Sequence, residues 1–292
     1  MSKKRTFAFY QVYENDALKA YLEDMALKGW KLVKIGSLLL TFESCEPHPI
    51  RYCVEVMEKA SAYASNQTLP LKRYREFCQD AGWSYLGTNG FLHVFYTEDM
   101  NAVPVETDHE ERYERICRAC NGTVWQTVIL FMLLSAMNLY SAWQKGSLLN
   151  SQGVSILLLM TAALWYAGGF LRWRHRAKRT LRENHTLPVL NYRTIRRVNY
   201  LFTGGILLFC IAIWGSAMIG SSSNALYVML IYLAVFALLM LFFSVLIHWL
   251  REKKTFSRRT NILIYWGIGL FLILLITLGG GYLLLRSMQL RY

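Results

Sequence analysis

Five stretches without an Asp, Glu, Lys or Arg, at 123–143, 153–171, 200–220, 225–249 and 262–285, limit most severely what this 292-residue chain can fold into. A hydrocarbon layer about 30 Å thick is crossed by roughly 20 apolar residues in a helix. A backbone removed from water must satisfy its own N–H and C=O groups, and a helix does so within one segment. The second half of the chain is therefore expected to be an all-α region of five transmembrane helices. Charge divides the chain at the same place. Residues 1–111 carry 12 Lys+Arg against 16 Asp+Glu, net −4, whereas residues 112–292 carry 20 against 3, net +17. A basic balance often signals nucleic-acid binding, but here the excess lies between apolar runs, so it reads as membrane topology and no nucleic-acid partner is expected.

Loops that retain Lys and Arg stay in the cytoplasm. The approach to the first run holds Arg112, Arg115 and Arg118. The connection RWRHRAKRTLRENHTLPVLNYRTIRR holds nine basic residues, and REKKTFSRRTN holds five. The intervening connections QKGSLLNSQG and SSSN hold one and none. The expectation is a multi-pass cell-membrane protein with its N-terminus in the cytoplasm and its C-terminus outside. Arg172, Arg174, Arg176, Lys178, Arg179, Arg196 and Arg197 are candidate contacts for lipid headgroups, with an acidic partner as the other reading of the cluster. The opening MSKKRTFAFYQVYEND has no apolar run of the length a secretory signal needs, so residues 1–104 are expected to remain cytoplasmic.

That first segment carries an internal repeat. YLEDMALKGW at 21–30 and YREFCQDAGW at 74–83 share Tyr, Glu, Gly and Trp at the same spacing, 53 residues apart. In each copy apolar residues recur at helical spacing and stop at a Gly, which ends helices by taking the left-handed conformation cheaply. Two strand-like runs follow each helix, WKLVKIG with SLLLTFE and WSYLGTN with FLHVFYTE. The Asn89-Gly90 pair signals a hairpin turn. A strand precedes each helix, RTFAFY and IRYCVEVM. The expected fold is an α+β domain of duplicated βαββ units, a mostly antiparallel sheet with its helices on one face. A linker around Pro104 then leads to a juxtamembrane amphipathic helix at 105–121, capped by Thr107 with Glu110 and broken at Asn121-Gly122 where the transmembrane region, 122–292, begins.

The aromatic first strand, YLEDMALKGW, the LTFE strand, YCVEVM and YREFCQDAGW together resemble the bacterial domain of unknown function family 2812. The resemblance covers roughly residues 1–100. It implies a cytoplasmic domain coupled to a variable membrane region, in genomes often beside regulators of the PadR type. The family brings no established catalytic residues to carry over.

Chemistry is sparse. Cys117 and Cys120 form a CxxC without the second pair of ligands that tetrahedral zinc needs, and the six His residues do not cluster. The chain has no phosphate-binding GxxxxGK[ST], no GxSxG and no HExxH. No catalytic residue, metal or cofactor is expected. The apolar runs also lack the buried acids and bases that ion-coupled transport uses. Gly29-Trp30 and Gly82-Trp83 read first as helix-closing corners. Their functional reading is a groove lined by Tyr21, Trp30, Tyr74 and Trp83 that takes a partner segment or a hydrophobic ligand. The sequence thus points to a non-enzymatic sensory or regulatory membrane protein, with membrane lipids and a cytoplasmic regulatory protein as partners and homo-oligomerisation left open. The alternative is a permease-like or lipid- and drug-handling protein driven by an external energy source.

Overall fold

A computed structural model describes residues 2–7, 9–36, 39–57, 69–105, 108–144, 151–219 and 267. The expected spans at 225–249 and 262–285 lie outside the described residues. The chain divides into two compact units, Met1–Lys59 with Tyr74–Phe209, and Ala60–Arg73 with Cys210–Tyr292. The second contains, among the described residues, the first turn of one helix and the last turns of another.

Among the described residues the first unit holds six strands, which form two antiparallel sheets. Strands β1 (Lys3–Phe7), β2 (Trp30–Ile35) and β3 (Leu39–Ser44) are ordered β1-β3-β2, and β4 (Arg51–Val56), β5 (Ser84–Asn89) and β6 (Leu92–Thr97) are ordered β4-β6-β5. Helix α1 (Asn15–Leu27) lies between β1 and β2 in the chain, and α2 (Leu69–Asp80) between β4 and β5. Several features recur 53 residues apart. Gly29 and Gly82 take φ of +78° and +84°. The register slips between Leu32 and Lys34 and again between Tyr85 and Gly87. β3 and β6 also occupy ranges that differ by the same 53. The β5–β6 turn is the two-residue loop Gly90-Phe91, with Gly90 at φ +61°. A positive φ at the first central position is what a II′-type hairpin requires.

Two expectations about the sheets are corrected. The strands make two three-stranded sheets in place of one, and the helices are not all on one face. Successive strand residues face opposite ways. In β4 and β6 both faces are apolar: Tyr52, Val54, Leu92 and Val94 point into a core shared with α1, while Phe95 points into a smaller cluster with Cys78 of α2 and Trp83. A sheet apolar on both sides needs cover on both, so α1 takes one face and α2 the other. The sheets approach each other along β2 and β5, where a Cβ on Gly87 would come within 2.7 Å of the Ile35 side chain. Leu32 of β2 also donates its backbone N–H to the hydroxyl of Tyr52 of β4, in the other sheet, at 3.3 Å.

α1 presents Leu18, Tyr21, Leu22 and Met25 on one stripe, all at most 4% exposed, against Leu32, Leu40 and Phe42 as well as Tyr52 and Val54. Burying side chains of this size contributes roughly 1.5–3 kcal/mol each. α1 also covers the free edge of β4. Asn15 Nδ2 donates to the Val54 carbonyl at 3.1 Å, and the Tyr52 N–H donates to Glu23 Oε1 at 3.3 Å. These bonds occupy groups that would otherwise template pairing with another chain.

Three long helices follow, α3 (His109–Gln144), α4 (Ser151–Asn184) and α5 (Tyr192–Ile219). α3 and α4 are each long and apolar enough to cross a membrane. Thr107 lies outside the described residues; the cap of α3 comes instead from Asp108, whose Oδ1 accepts the N–H groups of Glu110 and Glu111 at 2.8 and 3.2 Å. Asp is among the preferred residues at that position. The break expected at Asn121-Gly122 does not occur. Ile116, Ala119, Cys120 and Val124 form one buried stripe through that point, which outweighs the cost of about 1 kcal/mol for a mid-helix Gly. The basic connection is largely helical too, since α4 continues to Asn184 and α5 starts at Tyr192.

The two recurrent glycines make different demands. A Cβ at Gly29 would sit 2.9 Å from the Cys45 carbonyl oxygen, which is backbone and cannot yield; at Gly82 the nearest atom is 4.0 Å away. Gly82→Ala should therefore cost only the left-handed conformation, roughly 1–2 kcal/mol, and Gly29→Ala distinctly more. Thermal unfolding of the two full-length variants in detergent checks the order.

Candidate functional site

The chain between β1 and α1, FAFYQVYEND at 7–16, is short, rich in rings and carries one carboxylate ahead of the helix. It meets the first turns of α3 and α5 and the middle of α4 at Gly169–Trp173. Residues 12–14 form a single 3-10 turn that brings Glu14 to the start of α1. Glu14 is 7% exposed. Its Oε2 accepts hydrogen bonds from the Gln11 backbone N–H at 2.9 Å and from Asn199 Nδ2 of α5 at 3.0 Å. The same Nδ2 reaches the Phe9 carbonyl at 2.8 Å. Burial pushes the Glu14 carboxyl up to about 7, and the bonds from Gln11 and Asn199 hold it back in part.

The neighbouring rings complete the contact. Tyr200 Oη donates to the Phe7 carbonyl at 3.3 Å, and its ring meets Phe9 edge-on with centroids 5.4 Å apart. The Arg196 guanidinium lies 4.4 Å from the centroid of Tyr21 and 5.3 Å from that of Tyr200, a stacking that Arg makes readily. Tyr10 stacks on Tyr21 at 6.1 Å, and its buried hydroxyl makes no hydrogen bond among the described residues. Burial drives that hydroxyl, and the one on Tyr13, well above the usual tyrosine range.

On α4, Tyr13 packs against Phe170 and Trp173 with centroids 6.0 and 5.8 Å apart. Its hydroxyl occupies the space that a Cβ on Gly169 would need, at 2.6 Å. On α3, Arg112 pairs with Asp16 of α1, and Arg115 Nη2 lies 3.8 Å from the buried Glu55 carboxylate of β4. Ile116, Cys117, Ala119, Cys120, Val124, Phe170, Trp173 and Ala177 belong to the same core as the strands and α1. Cys117 and Cys120 therefore serve as core residues here. No group of three or more metal-binding side chains occurs among the described residues.

The candidate groove is not assembled as one surface. Tyr21 is 2% exposed, in the core facing α5. Trp30 lies at the start of β2 with the Lys4 ammonium 5.2 Å from its ring. Tyr74 and Trp83 do meet in one cluster with Cys78 and Phe95. Trp83 Nε1 donates to the Val103 carbonyl at 2.8 Å and carries Arg51 over its ring at 5.4 Å. Arg51 in turn donates to the carbonyls of Met100 and Ala102 at 3.0 and 2.8 Å. Trp83 and Arg51 thus hold the connector that leads into α3. Among the basic candidates, Arg172, Arg174, Arg176, Lys178, Arg179 and Arg197 are exposed, and Arg196 is committed to the rings of Tyr21 and Tyr200. Two residues nominated for different reasons, Tyr21 and Arg196, are therefore partners.

A cleft of about 170 Å³ opens where α1, β4 and the start of α3 converge. Trp83 and Tyr52 line it, with Lys19, Arg51, Arg112 and His109 against the one carboxylate Asp16. In an N-terminal segment of net charge −4 this is a locally basic recess. Sequence reasoning missed Glu14, Asn199 and the Asp16–Arg112 pair. The available signal was a carboxylate set among four aromatic residues just before a helix, and an Asn on the last turn before an apolar run.

Residues 15–130 match the model of the family described as Protein of unknown function (DUF2812). The chain resembles that family over this stretch. The resemblance read from YLEDMALKGW and YREFCQDAGW is borne out, and the match extends beyond the strands to include the part of α3 on which they pack. No curated protein and no solved structure matches the chain.

The raised Glu14 carboxyl makes the site pH-dependent. Below its ordinary value near 4.5 it is protonated whether folded or not. Between 4.5 and about 7 only the folded state holds the proton, so stability falls as pH rises. Above that range the full cost is in place, on the order of 3 kcal/mol. Glu14→Gln keeps an acceptor for Asn199 and removes the charge. It should raise the thermal midpoint at pH 8 and leave it unchanged at pH 4.5, as followed by calorimetry of the purified full chain.

Proposed function

We propose that this chain is a multi-pass membrane protein of regulatory type, in which an α+β domain of two βαββ copies is clamped to the cytoplasmic ends of its helices and couples their arrangement to a protein partner. One observation carries the reading. Among the described residues, the buried core that the domain shares with the helices reaches Val124 on α3 and Phe170 on α4, with Val128, Tyr166 and Ala167 packed against it, and the domain's hydrogen bonds to α5 fall at Asn199 and Tyr200. These contacts gather at the basic-side ends of the uncharged runs at 123–143, 153–171 and 200–220 and reach only a short way into them. Farther along, large apolar side chains are bare at Ile129, Leu133, Leu157, Leu164 and Leu208, each more than half exposed. Domain cover and the uncharged runs divide the helices between them, as expected if lipid takes over where protein contact ends.

The recurrences at 53 residues support two copies of one unit, and the positive ends of the runs support an orientation with the domain in the cytoplasm. The basic cleft is the partner's place in this reading. It is built from α1 and from the first turn of α3, tied by Asp16–Arg112, so a shift of α3 alters its shape directly. The reading requires no catalytic arrangement.

The test is affinity capture with the full-length tagged chain from cells under envelope stress, beside a Lys19→Glu variant. Lys19 is exposed on the cleft rim, so its reversal leaves the core intact. A defined cytoplasmic protein should co-purify with the parent and fall at least tenfold in the variant. Equal recovery from both, or no specific protein from either, contradicts the proposal.

A further inference from the structure

The end of β1 leads into an aromatic pair, Phe7 exposed and Phe9 half-buried, that the cleft does not use. Phe7 is 49% exposed and stacks flat on Phe9, with centroids 5.2 Å apart and planes 4° from parallel. Both residues are tied by their carbonyls to α5, Phe7 through Tyr200 and Phe9 through Asn199. The next residue of α5, Leu201, is 76% exposed. The rings therefore stand at the level where α5 becomes a continuous apolar surface.

Cations flank them on both elements. Arg5 shares the strand face of Phe7 two residues back, about 6–7 Å away along the strand, and it is exposed, as are Arg193 and Arg197 on the first turns of α5. An aromatic tip beside exposed Arg side chains has the composition of a segment resting at a membrane interface, where rings sit among headgroups and cations meet anionic lipid.

We infer that the Phe7–Phe9 tip of β1 is a peripheral membrane anchor, seated in the anionic headgroup layer of the bilayer that α5 enters. The inference rests on the membrane reading proposed above and adds to it that the domain itself touches lipid. The domain is then held at the membrane by two attachments, its packing on α3–α5 and this tip. A change in interfacial lipid acts on the Glu14 segment through the next few residues of the chain.

Photo-crosslinking in liposomes of mixed anionic and zwitterionic phospholipid tests it. The full chain carries p-benzoylphenylalanine at one site at a time: Phe7→p-benzoylphenylalanine for the tip, Phe77→p-benzoylphenylalanine as an exposed site on α2 (61% exposed), and Leu133→p-benzoylphenylalanine on the bare face of α3 (58% exposed). Lipid adducts are read by intact mass. The expected result is an adduct at positions 7 and 133 with at least tenfold less at 77, and an anionic-lipid share at position 7 that drops when Arg5→Glu is added. An adduct at 133 without one at 7, or equal yields at 7 and 77, overturns the anchor while leaving the membrane reading in place. No adduct at 7 or 133 overturns both.

Discussion

A carboxylate that leaves water has to be hydrogen-bonded, or neutral, or both, and the burial of Glu14 between the domain and α5 imposes that condition on everything around it. Its partners come from opposite ends of the first unit, a backbone N–H three residues away and the side-chain amide of Asn199, 185 residues away. Asn199 can donate to Glu14 and to the Phe9 carbonyl together only if the 9–14 segment is folded into its 3-10 turn. That turn places Tyr13 over Gly169 of α4 and starts α1 in the direction that buries Leu18, Leu22 and Met25. The polar contact is small in area, but it fixes the register in which a large apolar surface closes.

The second attachment works through the connector. Trp83 closes the corner after α2 and holds Val103, while Arg51 at the start of β4 holds Met100 and Ala102. The chain leaves β6 along this brace and enters α3, whose Asp108 cap and Arg112–Asp16 pair bring it back against α1. Helix α3 is thus fixed at its first turns by the domain and runs on without interruption into its apolar length. An unbroken helix transmits displacement better than a flexible joint, which is why the loss of the expected break at Asn121-Gly122 bears on mechanism as well as on fold.

Much of the strand–helix fold was legible because its signals are local. The stripe Leu18, Tyr21, Leu22, Met25, the left-handed glycines at 29 and 82 and the hairpin near Gly90 each depend on residues within one turn or one strand. The two-sided character of β4 and β6 was present in YCVEV and LHVFYT, but alternation alone does not say which element covers each face. The docked site was not legible. Glu14 and Asn199 owe their roles to a contact across the length of the chain, and Tyr21 looked like half of a repeat motif when its neighbour is Arg196. Nor could the charge of Arg196 distinguish a lipid headgroup from a tyrosine face, since a guanidinium serves both.

The central claim is that the domain and α5 are coupled through Glu14 and Asn199. A double-mutant cycle measures it directly, with Glu14→Ala, Asn199→Ala and the double variant of the full chain unfolded thermally at pH 8. A hydrogen bond to a charged group contributes about 1.5–3 kcal/mol, so the cycle should return a coupling energy of at least about 1 kcal/mol. Additivity within about 0.3–0.5 kcal/mol, as for residues that do not touch, would contradict the account.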